Sequence, residues 1–189
     1  PTTWKAIAAG SSGYVVLPSP PQWLPPSSAP LNDNSQTSPA PLGVNEFSEP
    51  LQLPFSFPFP GGSTSVVHAA SNGWILLQPT TSQVELSVPS ANSLLTGNAR
   101  ICPLWCQMDP SANTAINPAS GVYYEVDITN QAVFITWLDV GDARTGPPAA
   151  GTTSGNMQCV LFSNGDYEFR YGPVVPAPVP GTVLVGWSK

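Results

Sequence analysis

Charge is what this chain has least of. Only 8% of its 189 residues are charged, against about a quarter in ordinary globular domains. The basic side chains are Lys5, Arg100, Arg144, Arg170 and Lys189, and the formal net charge is −6. No basic patch can form that would neutralise a run of phosphates, so nucleic acid and anionic membrane are poor partners. No apolar run approaches the roughly 20 residues needed to cross a bilayer as a helix, which argues against a transmembrane segment. No basic-then-apolar signal opens the chain. Starting at Pro1 without Met, it reads as a mature or trimmed product. A surface kept soluble by Ser, Thr, Asn and Gln instead of ions is a habit of secreted proteins, so extracellular or cell-surface residence is expected.

Histidine is nearly absent as well. His68 is the only one, it lies in an apolar run, and no Gly-x-Ser-x-Gly elbow accompanies it, so no catalytic triad is expected and no enzyme activity is assigned. Cysteine is limited to Cys102, Cys106 and Cys159. The first two share parity on a candidate strand and would stand about 13 Å apart if it were extended, too far for a bridge. A disulfide from Cys159 to Cys102 or Cys106 is the plausible oxidised form; three buried thiols are the alternative.

Proline and glycine are what the chain has in plenty, at 24 and 16 residues. Residues 1–50 hold one short apolar run, Gly13-Tyr14-Val15-Val16-Leu17, a candidate strand, and then Pro18-Ser19-Pro20-Pro21-Gln22-Trp23-Leu24-Pro25-Pro26 in a Ser- and Pro-rich stretch. Prolines at this density cannot donate to a ladder, so the segment is extended. It is either a linker or an arm lying along the domain or a neighbouring subunit. Trp4, Trp23 and Leu24 favour the arm and are the candidate partner-binding residues.

From residue 51 the texture becomes that of a β meander. Phe55, Phe57 and Phe59 alternate between Pro54, Pro58 and Pro60, which restricts that segment to an edge strand. Asn72-Gly73 reads as a type I′ hairpin turn. Residues 84–88 alternate weakly, and 91–100 hold a short helical turn or loop. Strands then follow around Tyr123, Phe134, Cys159, Phe169 and Leu184. In the strand after Asn164-Gly165, Tyr167, Phe169 and Tyr171 share one face and Asp166, Glu168 and Arg170 the other, the pattern of a sheet packed inside and wet outside. Trp74, Trp105, Trp137 and Trp187 fall in strands and read as core. The fold class is therefore all-β: an antiparallel β-sandwich over 51–189 with an extended Pro-rich N-terminal arm over 1–50.

The order of motifs resembles a known family. Pro103-Leu104-Trp105, Met108-Asp109-Pro110, Gly121-Val122-Tyr123-Tyr124, Ile135-Thr136-Trp137-Leu138, Met157-Gln158-Cys159-Val160, Phe169-Arg170-Tyr171-Gly172 and Val185-Gly186-Trp187-Ser188 are similar, in this order, to the nidogen-like (NIDO) extracellular domain. The resemblance covers about residues 51–188. It implies a β-sandwich module of matrix, adhesion or cell-surface proteins, with no catalytic residues of its own. Gln107 stands where that family tends to carry an acidic residue.

Acids at strand ends are the remaining candidates for chemistry. Asp109, Asp127, Asp139 and Asp142 could gather on one sandwich edge to hold Ca²⁺, the sole cofactor weighed. Paired acids such as Asp109 and Asp127 would suit a secreted hydrolase, a reading ranked last. The favoured expectation is a non-enzymatic structural or assembly subunit working through protein contacts or self-assembly. A carbohydrate-binding or Ca²⁺-assisted adhesive module is the alternative.

Overall fold

The structure, a computed structural model, describes residues 2–10, 13–84, 88–115, 117–143, 155–172 and 183–189, with the Asp142 side chain outside that set. Of the weakly alternating stretch 84–88, only its two end residues fall within the description. Strands β1 (Thr2–Ala8) and β2 (Tyr14–Ser19) form a hairpin, and β1 then pairs with β11 (Tyr167–Tyr171). The sheet continues through β10 (Gly155–Phe162) and β9 (Ala132–Asp142), which takes β8 (Gly121–Asp127) along its start and the short β7 (Met108–Asp109) at its end. A second sheet runs β12 (Leu184–Ser188), β6 (Arg100–Trp105), β5 (Trp74–Leu76), β4 (Gly62–Ala70) and β3 (Leu51–Phe59). The single helix among the described residues is α1 (Ala91–Thr96), capped by the Ser90 side chain. All pairings are antiparallel, and the expected sandwich is what forms.

Period-two alternation builds the core between the layers. Val133, Ile135 and Trp137 of β9 with Cys159 and Leu161 of β10 face Val67, Ala69, Ile75 and Ile101 of the second sheet, all under 2% exposed. Two polar tips are satisfied across the layers: Trp137 Nε1 donates to the Ala70 carbonyl at 2.9 Å and the Tyr171 hydroxyl to the Pro103 carbonyl at 2.6 Å. Trp74 and Trp105 belong to a second cluster with Phe47 and Leu94. β3 pairs only with β4 among the described strands, so its prolines sit where an edge tolerates a missing donor.

Three local readings change. Asn72-Gly73 does not make a type I′ turn. Only Gly73 of the two has positive φ, +79°, and Gly73 N–H closes on the Ala70 carbonyl at 3.1 Å. Ala70 pairs with Trp74, so three residues turn the hairpin, as in a type I turn ending in a left-handed glycine.

Second, parity does not place Cys102 and Cys106 together. β6 ends at Trp105, and its ladder with β12 shifts register between Leu184 and Gly186. Cys102 packs in the cluster of Trp74 and Trp105, while Cys106 joins the interlayer core with Cys159. Among the described residues no disulfide joins the three, which are all buried thiols. Burial, with the Cys102 thiol adding to it, pushes the Cys159 thiol well up.

Third, the face bearing Glu168 and Arg170 is not wet. Both are 6% exposed, because the Pro-rich segment lies across them. Gln22 N–H donates to Thr3 Oγ1 at 3.1 Å, Arg170 Nη2 to Gln22 Oε1 at 2.9 Å, and Gln158 Nε2 to the Leu24 carbonyl at 2.9 Å. Further on, Ser27 Oγ donates to Glu125 Oε1 at 2.8 Å, and Leu31 N–H to the Val122 carbonyl at 2.7 Å. The prolines keep this strap extended, and side chains of the sheet supply the hydrogen bonds that an edge ladder would otherwise give.

Candidate functional site

Two surfaces stand out, and both involve the first forty residues. The first is the edge where β2 and β12 end their respective sheets. β2 pairs with β1 alone among the described strands and carries no charge. Its register sets Val16 opposite Ala6 and Pro18 opposite Trp4, on the interlayer side, with Val15 and Leu17 on the outer side. Val15, Val16 and Leu17 are 52%, 54% and 46% exposed. Between the layers here lies an apolar groove of about 470 Å³, lined by Trp4, Val16, Phe169, Tyr171, Val185 and Trp187. Tyr14 stacks edge-on against two of the groove's rings, Tyr167 and Trp187, at 4.7 and 5.0 Å between ring centres. Burial raises the Tyr14 hydroxyl to about 12. Trp4 thus belongs to the sandwich itself, 43% exposed at the mouth of the groove.

The second surface is a mixed cleft of about 750 Å³ on the outer face of the first sheet, bounded by the strap and by the β8–β9 turn. Trp23 and Leu24 line it. Lys5 Nζ stands 5.0 Å over the Phe162 ring and the Arg170 guanidinium 5.5 Å over the Phe134 ring.

Asp127 stands apart from the other three candidate acids, which lie toward the far end of β9. Asp109 pairs with Gly141 and Asp127 with Ala132, nine positions apart along β9, which is about 30 Å of strand. Paired-carboxylate hydrolysis needs about 5–10 Å, so the reading built on Asp109 and Asp127 has no geometric basis. Each described acid is engaged locally. Asp109 Oδ1 accepts from Ser111 Oγ at 2.6 Å, and Asp127 accepts Asn130 N–H and Nδ2 at 3.0 and 2.6 Å. Asp139 Oδ2 accepts from Asn117 Nδ2 at 2.8 Å. Asp139 has φ +54° where the β9–β10 register shifts, and Asn113 and Ser120 hold its carbonyl. Asp142 pairs with Met108 through the backbone. Among the described residues no group of three or more His, Cys, Asp or Glu is placed to hold a metal ion.

His68 is fully buried. Its Nδ1 hydrogen-bonds the Ser48 carbonyl at 2.8 Å, and Thr80 N–H donates to Nε2 at 3.2 Å. These partners select the neutral Nδ1–H tautomer, and burial lowers the ring below its ordinary value. A depressed folded value gives stability that is full above the unfolded value of about 6.5 and lost as pH falls through the folded one. Urea midpoints are therefore expected to fall as pH drops below about 6.5, with a slope of at most one proton, about 1.4 kcal/mol per pH unit. His68→Gln should remove that slope while being less stable at neutral pH; an unchanged slope counts against the assignment.

Sequence reading found the run at Val15–Leu17 as a strand but not as a binding edge. Its signal was there, in an apolar strand with no charge and a proline at its end. Lys5, Asn130, Phe134 and Phe162 carried none, because only the fold brings them beside Trp23.

The architecture defines an antiparallel β-sandwich domain with an open apolar edge and a strapped outer face. The family model described as NIDO related matches residues 27–187, and the chain belongs to this family. That match begins upstream of the motifs recognised in the sequence but after Gln22, Trp23 and Leu24 of the strap, and points to an extracellular type of domain. No helix among the described residues is long and apolar enough to cross a membrane. Neither the search of curated proteins nor that of solved structures found a match.

Proposed function

We propose that this chain is a non-enzymatic extracellular assembly subunit that acts through protein contact, and that the partner at its β2 edge is a second copy. The observation that carries the reading is the open strand itself. Among the described residues β2 pairs on one side only and carries apolar side chains on both faces, with no charge and no bulge, and with Pro18 near its end as its blunting feature. Antiparallel addition of β2 to β2 of another copy about a two-fold axis pairs the backbone on that other side and covers Val15, Val16 and Leu17 in both copies at once. Although the net charge is −6, no acid lies on β2, so like-charge repulsion is weakest there.

Sedimentation velocity over a concentration series tests this. The chain is expected to dimerise, and Val16→Lys to weaken that dimer by about tenfold or more, because a lysine on the edge must be desolvated to pair. Val16 is more than half exposed, so the variant keeps its fold. A wild-type chain that stays monomeric at roughly millimolar concentration overturns the proposal.

A further inference from the structure

We propose that the cleft between the strap and the β8–β9 turn binds a neutral oligosaccharide, with Trp23 as the stacking wall and Lys5, Gln22, Asp127 and Asn130 as hydroxyl partners. The site is separate from the β2 edge contact. Its volume, about 750 Å³, is within the range of small-ligand sites.

Trp23 is positioned without being used. The hydrogen bonds that pin the strap come from its neighbours, Gln22 through its amide N–H and Oε1 and Leu24 through its carbonyl. Trp23 itself is half-buried and lines the cleft. An aromatic ring held between two anchored residues loses little entropy when a ligand stacks on it, and its electron-rich face suits the C–H face of a pyranose.

The polar groups match hydroxyl chemistry. A sugar hydroxyl both donates and accepts, and the cleft supplies both functions: Lys5 only donates, Asp127 only accepts, and Gln22 and Asn130 do both. Asn130 lies at the open rim, and its hydrogen bonds hold the Asp127 carboxyl below its ordinary range as a fixed acceptor. The floor is rigid, because Arg170 is locked to Glu168 by two hydrogen bonds of 3.0 and 2.7 Å to the same oxygen.

Charge decides among ligands. The cleft is lined by Lys5 and Arg170 against Asp127 and Glu168, two cations and two anions, and Lys5 is also ion-paired with Asp166 at 3.6 Å. That balance gives no net attraction for a sulfated or sialylated chain and none for phosphate. It leaves stacking and hydroxyl hydrogen bonds to select the ligand, which is the signature of a neutral glycan.

The test is a printed array carrying neutral oligosaccharides (cello-, xylo-, manno- and chito-oligomers) beside sialylated and sulfated ones and proline-rich peptides, followed by calorimetric titration of the best neutral binder. Neutral glycans are expected to bind, with Trp23→Ala and Asn130→Ala each weakening the titration by about tenfold or more. Trp23→Phe should retain part of the binding, and Val16→Lys all of it, which separates this site from the β2 edge. Thermal unfolding of each variant shows that the strap is still seated. The proposal is overturned if no neutral glycan binds, if acidic glycans or proline-rich peptides bind instead, or if a folded Trp23→Ala binds as the wild type does.

Discussion

Arg170→Ala is expected to lower the stability of the domain by about 3–5 kcal/mol, the usual cost of stranding one member of a buried ion pair. The Glu168 and Arg170 side chains are each 7% exposed, and Arg170 Nη2 lies 2.7 Å from Glu168 Oε2. Removing the guanidinium leaves a carboxylate under the strap whose cross-strand neighbour, Lys5, is already paired with Asp166 at 3.6 Å. It also removes the donor to Gln22 and the cation over Phe134, so the strap loses an anchor together with the charge balance. Equilibrium urea unfolding measures the loss. The pair itself is not the source of net stability, since desolvating both ions offsets most of their attraction. Arg170→Met combined with Glu168→Leu should therefore recover much of what Arg170→Ala loses. A loss below about 1 kcal/mol in the single variant would mean that water reaches Glu168 and that the strap does not cover this face.

The same pair shows how far the sequence could be read. Alternation in Tyr167–Tyr171 assigned the aromatic face to the core correctly: Tyr167 and Phe169 are buried there. Periodicity says which side chains share a face, but not what lies over it. The cover over Glu168 and Arg170 comes from residues 22 and 24, more than 140 positions away, in a segment whose prolines give no periodic signal at all. Strand identity was legible because β-branched and aromatic runs are local. The strap was not, because its hydrogen bonds to the sheet are scattered, mostly through side chains, and follow no ladder register.

The candidate sites divide along the same line. Trp23 could be singled out, since an aromatic in a proline-rich segment needs something to pack against. The acids could not be placed, because proximity of Asp109, Asp127 and Asp139 depended on which end of β9 each one meets. Cys102 and Cys106 were misplaced by one irregularity. An even spacing keeps two residues on one face only while the ladder is regular, and the β6–β12 shift breaks that condition.

Gly73→Ala is the second substitution with a large expected cost, about 3 kcal/mol or more, from left-handed strain of about 1–2 kcal/mol and overpacking of about 1–3. Gly73 turns the β4–β5 hairpin with φ +79°. A Cβ there would lie 2.2 Å from the Leu104 carbonyl oxygen, 2.3 Å from Met108 Cε and 2.7 Å from Met157 Cε. The methionine ends can swing aside, but the Leu104 carbonyl is backbone. The hairpin cannot retreat from it either. Leu104 N–H donates to the Gly73 carbonyl at 3.3 Å, Cys106 N–H to the Asn72 carbonyl at 3.1 Å and Met108 N–H to Asn72 Oδ1 at 2.7 Å. Relief of the clash would break bonds between the turn and the chain linking β6 to β7, the point where the two sheets are joined. Gly10→Ala supplies the comparison, because Gly10 has φ +64° with nothing within 4 Å of its Cβ position. It should lose only the conformational part, about 1–2 kcal/mol. Urea unfolding of both variants beside the wild type separates strain from contact. Equal losses at the two glycines would show that the hairpin is not seated against Leu104, and the close junction of the two sheets at this turn would fall with it.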